Sequence, residues 1–150
     1  MMRPPNIRRL LALFALSMAL TVVVGGAPVY AQEETKYTDA KQVLESLAES
    51  LEKFVSDMAA AETADPIAKA LDTFTESMET LVPRINEIGD KYPEIKNEDT
   101  HPEALKPLLG RVTSDFQQMM KAYAKVMENS EDPAVKQADD RYKQVMSGLR

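Results

Sequence analysis

The chain has 150 residues, of which 18 are basic and 24 acidic, and it contains no cysteine and no tryptophan. The absence of cysteine excludes disulfide frameworks, thiolate zinc sites, iron–sulfur clusters and cysteine nucleophiles. The net charge of −6 disfavours binding to nucleic acid and to anionic lipid, so neither is an expected partner.

Residues 1–31 have the composition of a secretory signal peptide. Three arginines and no acidic residue precede an apolar run, Leu10–Val24, and small residues then mark a cleavage site after Ala31. The alternative is an uncleaved membrane anchor, but a bilayer core needs about 20 apolar residues and this run is shorter. We therefore predict export, either to the periplasm of a Gram-negative bacterium or out of the cell, without a stable membrane anchor after cleavage.

Cleavage would leave residues 32–150 as one small domain. The predicted signal peptide contains three of the 18 basic residues and none of the acidic ones, so residues 32–150 have a net charge of −9. A chain of this length buries about two thirds of its unfolded surface, which is enough for a core without disulfides.

The first predicted helix covers residues 38–62. Apolar residues recur at helical spacing from Ala40 to Met58, and acidic residues occupy mainly the opposite face. Thr38 is the expected N-cap, because its hydroxyl can accept hydrogen bonds from amides of the first turn.

The second predicted helix covers residues 66–88 and has the most regular pattern in the chain. Its apolar residues are spaced by four and three positions in alternation, the heptad rhythm of a helix that buries one narrow seam: Ile67, Leu71, Phe74, Met78, Leu81, Ile85 and Ile88. Asp65 and Pro66 predict its start, and Gly89 predicts a left-handed cap at its end. Pro83 lies inside the pattern and removes one hydrogen bond, so the helix either kinks or breaks there; the unbroken register favours a kink.

The third predicted helix covers residues 102–128 and follows the longest connection of the domain, residues 90–99. Thr100 and Glu103 have the spacing of a capping box. Pro107 leaves open the alternative that the main helix begins there, after a separate turn.

The fourth predicted helix covers residues 133–149, and Asp132 and Pro133 repeat the start signal of the second helix. No segment shows the period-2 alternation of a strand. Four amphipathic helices joined by a short, a long and a short connection predict an all-α fold, an antiparallel up-down-up-down four-helix bundle.

This layout resembles the small periplasmic haem-binding four-helix cytochromes of the b type and the c′ type. The shared features are a signal peptide, a similar mature length, a long second connection and a last helix that ends in a basic residue, Arg150. The b-type family binds haem through a methionine on the first helix and a histidine near the end of the fourth, where this chain has Leu44 and Val145–Met146. The c′-type family needs a C-x-x-C-H attachment motif, and this chain has no cysteine. The resemblance therefore implies the fold without the haem site, and we predict no cofactor.

His101 is the only histidine, and Glu98 stands three residues before it, the E-x-x-H spacing of di-iron bundles. Such a site needs a second copy of the motif and further glutamates, so we interpret His101 as a surface residue. Ser114 and Ser130 lack the context that activates a serine nucleophile. We therefore predict no catalytic residue and no metal ligand, and a protein that is not an enzyme.

Three pairs of adjacent acids are the other candidates for a polar site: Glu98–Asp99, Glu131–Asp132 and Asp139–Asp140. None has the spacing of a calcium-binding loop with its central glycine. We interpret them as solvated groups or helix-capping groups.

Methionine is the one mild excess of the composition. Residues 32–150 contain six: Met58, Met78, Met119, Met120, Met127 and Met146. Core packing is the first interpretation, and a thioether site for Cu(I) is an alternative. A groove beside the proline of the second helix is the candidate binding site, lined by Met78, Leu81, Pro83, Ile85, Met119 and Met120.

The sequence thus predicts an exported, acidic helical bundle with a non-enzymatic binding or interaction role. Its partner would be a protein or an apolar ligand. The alternative function is a metal- or cofactor-carrying bundle, with haem or Cu(I), related to the periplasmic four-helix cytochromes.

Overall fold

The computed structural model describes residues 35–150, apart from the side chain of Glu98. The predicted signal peptide lies outside these residues. The described chain is all-helical, without a strand, as predicted. In chain order the helices are α1 (Thr38–Ala60), α2 (Ala64–Lys91), α3 (Lys106–Ala122), α4 (Ala124–Glu128) and α5 (Pro133–Met146). Since only Tyr123 separates α3 from α4, there are four main helices. Within residues 35–150, none of them combines the length and apolar character needed to span a bilayer.

α1 buries the apolar stripe that the sequence predicts. Its buried residues are Ala40, Val43, Leu44, Leu47, Ala48, Leu51, Phe54 and Met58. The predicted N-cap is wrong by one position, because Tyr37 precedes the helix and Thr38 is its first residue. The Thr38 hydroxyl donates to the Thr35 carbonyl (3.0 Å).

α2 is 28 residues long and continues through Pro83, so the helix does not break there. The heptad pattern is confirmed, since six of its seven apolar residues are buried. Ile85, two residues after Pro83, is the half-buried exception. This local loss of burial marks the place where the seam of α2 is least covered.

Both ends of α2 differ from the prediction. Thr63 occupies the N-cap position, and Asp65 lies in the first turn, where its charge suits the positive end of the helix. Gly89 lies inside the helix, which ends at Lys91. The glycine makes room for the Lys96 side chain, because a Cβ at Gly89 would lie 2.6 Å from the Lys96 Cε.

Residues 92–105 connect α2 to α3 and include two 3₁₀ turns, Pro93–Lys96 and Glu98–Thr100. Side chains fasten this connection to the start of α1. Tyr37 donates a hydrogen bond through its Oη to a carboxylate oxygen of Glu94 (2.7 Å). The hydroxyl hydrogen bond lowers the pKa of Glu94 to about 2, with further contributions from its own amide and from a neighbouring lysine.

The predicted capping box at the start of the third helix does not form. Thr100 donates to the carbonyls of the preceding turns, and Glu103 pairs with Lys106. α3 begins at Lys106 with Pro107 in its first turn. The alternative start near Pro107 is therefore the observed one.

α5 begins as predicted. The Asp132 carboxylate accepts hydrogen bonds from the amides of Ala134 (2.9 Å) and Val135 (3.3 Å), which have no partner within the helix. The helix ends at Met146, three residues earlier than expected, and residues 147–150 continue as a separate short segment.

α1 and α2 run in opposite directions. Asp39, at the start of α1, forms an ion pair with Lys91, at the end of α2. Farther along the pair, the rings of Phe54 and Phe74 lie with their centroids 4.9 Å apart.

α3 and α5 pack beside helices that run in their own direction. Along α1 and the third main helix, Glu52 contacts Arg111 (2.8 Å) and, further on, the Met58 carbonyl accepts from Lys125 (2.7 Å). Along α2 and α5, Glu79 contacts Arg141 and Asn86 contacts Gly148 in the same order. These contacts place α1 parallel to α3 and α2 parallel to α5, which are the relative directions of the first and third and of the second and fourth helices in an up-down-up-down order.

The helix pairs with close backbone approaches are α1–α2, α1–α3 and α2–α5. α3 and α5 have few such approaches and meet mainly through side chains, such as the rings of Tyr123 and Tyr142, 5.6 Å between centroids. The side of the bundle between α3 and α5 is therefore its least closed side.

Candidate functional site

A small cavity of about 20 Å³ lies in the core between all four main helices. No polar side chain lines it. Its walls are Leu47 and Leu51 of α1, Phe74, Met78 and Ile85 of α2, Val112, Phe116 and Met119 of α3, Met146 of α5, and Leu149 after it. The volume holds about one water-sized sphere, but an apolar cavity offers water no hydrogen-bond partner, so this cavity favours apolar occupants.

The structure brings together half of the predicted groove. Met78, Ile85 and Met119 line the cavity. Leu81 is buried in the core elsewhere, while Pro83 lies on the surface and Met120 is 37% exposed. Three of the six predicted groove residues therefore line one apolar cavity, and the other three do not.

Three of the six methionines in the described chain meet at this cavity: Met78 of α2, Met119 of α3 and Met146 of α5. Met58 is buried elsewhere in the core, and Met127 is 58% exposed. Thioether side chains are unbranched and polarisable, so these walls can adapt their shape to a ligand more readily than branched side chains can.

The mouth of the cavity is defined by the lining residues that are only half-buried. These are Ile85, Met146 and Leu149, whereas the other lining side chains are buried. All three lie at the end of the bundle where α2 and α5 finish.

Asn86 holds the segment after α5 against this mouth. Its Nδ2 donates to the Gly148 carbonyl (2.8 Å), and its Oδ1 accepts from the Arg150 amide (2.9 Å). Asn86 is buried, so both of its side-chain hydrogen bonds replace bonds to water. A Cβ at Gly148 would be tightly placed, 3.2 Å from the Val145 carbonyl oxygen, with Val82 Cγ1 at 3.4 Å.

A buried polar cluster joins the middle of α5 to the third main helix. Asp139 accepts hydrogen bonds from the Tyr123 hydroxyl and the Lys143 ammonium group. Burial, followed by the hydrogen bond to Asp139, raises the pKa of Tyr123; burial and the same carboxylate raise that of Tyr142. The prediction that Asp139 is solvated is therefore wrong, because the residue is only 8% exposed and its carboxylate accepts the two hydrogen bonds just described. Its neighbour Asp140 is exposed, as predicted.

Asp115, between α1 and α3, is the least well satisfied buried group of the described chain. Its Oδ2 has no hydrogen-bond partner and lies 3.8 Å from Arg111 Nε. Arg111 itself donates two hydrogen bonds to Glu52. Burial and the Glu52 carboxylate raise the pKa of Asp115, and Arg111 opposes them.

The other predicted polar candidates stay apart. His101 is half-buried in the connection before α3, and its Nε2 lies 2.9 Å from the Ile95 carbonyl, which it satisfies as a donor. Ser114 is exposed on α3 beside an open, shallow groove shared with α1. Across residues 35–150, no three histidine or acidic side chains are grouped so that they could hold a metal ion.

Comparison of the chain with protein-family models, with curated proteins and with solved structures gives no match. The resemblance to the periplasmic cytochromes therefore stays a prediction, and the cavity must be interpreted from its own chemistry.

Sequence reasoning did not predict that Asn86 and Asp139 are buried and hydrogen-bonded. Asp139 lies four residues after Val135 and three before Tyr142, which places it on the same helical face as the core of α5. Asn86 lies four residues after Val82, on the edge of the α2 seam. A polar residue inside an apolar helical stripe was the available signal in both cases.

Proposed function

We propose that this protein is an exported, non-enzymatic binding protein that receives an uncharged apolar ligand between the helices of its bundle. The observation that carries the proposal is the cavity walled by all four main helices with apolar side chains alone. Removing apolar surface from water favours binding by about 25 cal/mol per Å². A charged or strongly polar ligand would lose its hydration without compensation and is disfavoured.

The ligand must enlarge the cavity as it binds. A volume of about 20 Å³ is smaller than any hydrocarbon that a helical bundle would carry. The half-buried side chains of Met146 and Leu149 are the walls that can move outward without disturbing the buried seams of α1 and α2. The supporting features are thus a fixed apolar floor and an adaptable, methionine-containing cover.

The test is thermal unfolding of the purified protein in the presence of benzene. A ligand that binds only the folded state raises the melting temperature in proportion to RT ln(1 + [L]/Kd). We expect a saturable rise. In Val112→Ile, an added methylene on a lining residue that is 1% exposed fills the cavity, so the rise should shrink. No rise in the wild type, or an equal rise in both proteins, would contradict the proposal.

Cu(I) binding is a second candidate, because three methionines line one cavity. Thioether groups are soft ligands that select Cu(I). No anionic side chain lines the cavity to balance the charge, which makes the apolar ligand the better-supported occupant. Under reducing conditions, stoichiometric Cu(I) binding that Met78→Leu or Met119→Leu abolishes would support the second candidate. Benzene binding should survive both substitutions.

Export belongs to the same proposal. Its support is the apolar run Leu10–Val24, the three arginines that precede it and the small residues that follow it. Expression of the full chain in a Gram-negative host should give a periplasmic product that begins at Gln32. A full-length product held in the membrane fraction would contradict cleavage.

A further inference from the structure

The segment after α5 contributes Leu149 to the half-buried part of the cavity wall and is held there from two sides. Its amides continue the hydrogen bonds of α5, from Ser147 to Lys143 (3.0 Å) and from Gly148 to Val145 (3.0 Å). On the opposite side, Asn86 of α2 binds Gly148 and Arg150, as described above. Leu149, which lies between Gly148 and Arg150 in the chain, lines the cavity.

Asn86 holds this segment through side-chain hydrogen bonds to its backbone. The side-chain amide of Asn86 donates one hydrogen bond to Gly148 and accepts one from Arg150. Both hydrogen bonds break if residues 147–150 move away from α2. The bond energies are those of ordinary hydrogen bonds, which makes lifting far easier than separating two packed helices.

We propose that residues 147–150 form a gate over the apolar cavity and that Asn86 is its latch. The role of the gate rests on the proposed function, because a gate requires a ligand that passes it. Opening moves Leu149 away from the mouth and gives the adjacent Met146 room to change rotamer. This enlarges the cavity where its walls are half-buried. The floor of the cavity, on α1 and α2, keeps its packing.

The experiment compares the wild type with Asn86→Ala, which removes both latch bonds. NMR exchange spectroscopy on the Met78 and Met119 methyl groups measures how fast benzene enters and leaves. The latch predicts that the association and dissociation rates both rise about tenfold, while the Kd changes less than about twofold, because the open state is populated more often but the bound state is the same. Amide hydrogen exchange at Leu149 should accelerate by a similar factor, and it reports opening because this amide donates to the Met146 carbonyl (3.2 Å) and not to Asn86.

Asn129→Ala is the matched control. The Asn129 side chain donates to the Lys125 carbonyl (2.8 Å) at the opposite end of α5, so the variant loses a comparable bond away from the cavity. It should leave the benzene rates and the exchange of the Leu149 amide unchanged. Should Asn86→Ala fail to fold, Leu149→Ala opens the mouth without touching the latch and should also raise both rates.

The outcomes separate the gate from the proposed function. Faster amide exchange together with faster benzene exchange supports the gate. If the amides exchange faster but the benzene rates stay the same, the gate is overturned and the ligand uses another path. If benzene binds neither the wild type nor any variant, the proposed function fails, and the gate fails with it. Unchanged amide exchange overturns the latch whatever benzene does.

Discussion

Phe74 joins the seam of α2 to both neighbouring helices and to the cavity wall. It is 4% exposed, and its ring centroid lies 4.9 Å from that of Phe54 and 5.9 Å from that of Tyr142. Phe74→Ala removes the ring and both aromatic contacts. The void then merges with the existing cavity, which its rigid helical floor prevents from collapsing.

We expect Phe74→Ala to lower the free energy of unfolding by about 4–5 kcal/mol. Core truncations of phenylalanine cost about 3–5 kcal/mol, and each aromatic pair contributes about 0.5–1.5 kcal/mol beyond its buried area. The two terms overlap, which places the estimate at the upper end of the range. Urea unfolding followed by circular dichroism measures the change, from the shift of the midpoint at unchanged slope.

Two further variants make this measurement decisive. Met127→Ala truncates a side chain that is 58% exposed and should change stability by less than about 0.5 kcal/mol. Phe74→Leu keeps most of the volume and remains measurable if the alanine variant does not fold. A loss below about 1.5 kcal/mol for Phe74→Ala would show that Phe74 does not pack in the core as described.

Three other predictions concern polar groups. Asp115→Ala should raise stability by about 1 kcal/mol at pH 7, because it removes a buried carboxylate with an unsatisfied oxygen. Burial raises the pKa of Asp115 in the folded state, so the carboxylate costs stability only while it is ionised, and the gain should shrink as the pH falls toward the ordinary pKa of about 4 and be absent below it. The pKa of Glu94 is lowered to about 2, so the ionised carboxylate stabilises the folded state above its ordinary pKa of about 4.3, and this stabilisation is lost as the pH falls toward 2. The melting temperature of the wild type should therefore fall more steeply over that range than that of Glu94→Gln. Lys125→Met should cost about 1–2 kcal/mol, since the ammonium group donates to the carbonyls of Met58 (2.7 Å) and Ala61 (2.8 Å) at the end of α1.

Each of these predictions has its own control. Asp140→Ala makes the same change in helix propensity as Asp115→Ala, but at an exposed position of α5. It should therefore show no comparable pH-dependent gain in stability. A Glu94→Gln protein with the same acid profile as the wild type would remove the role assigned to Glu94. Lys121→Met, on the exposed face of α3, should be nearly neutral, and a cost equal to that of Lys125→Met would contradict the capping role.

The heptad spacing of α2 predicted its buried face because apolar periodicity and burial are linked within one helix. The same local reasoning predicted the Asp132 cap, where a side chain bonds amides two and three residues away. It could not show that the parallel pairs α1–α3 and α2–α5 are the ones that lie in close contact. Those depend on how the connection of residues 92–105 crosses the end of the bundle, and no local pattern encodes that path.

At the candidate site, too, the sequence predicted the local features but not the long-range contacts. The sequence indicated that methionines and Ile85 line an apolar site near Pro83, since they lie on the seams. It did not indicate Asn86, whose partners lie more than sixty residues away in the chain. Long-range hydrogen bonds to backbone groups leave no spacing signal, so only the assembled bundle shows them.

The most direct test of the account is the location of the ligand. Carbon-13 methyl labelling of the methionines gives separate signals for those that line the cavity, Met78, Met119 and Met146, and for Met58, Met120 and Met127, which do not. Benzene titration should shift the first three saturably and leave the other three nearly unchanged. Shifts confined to the surface methionines Met120 and Met127, or no saturable shift at all, would contradict binding in the core.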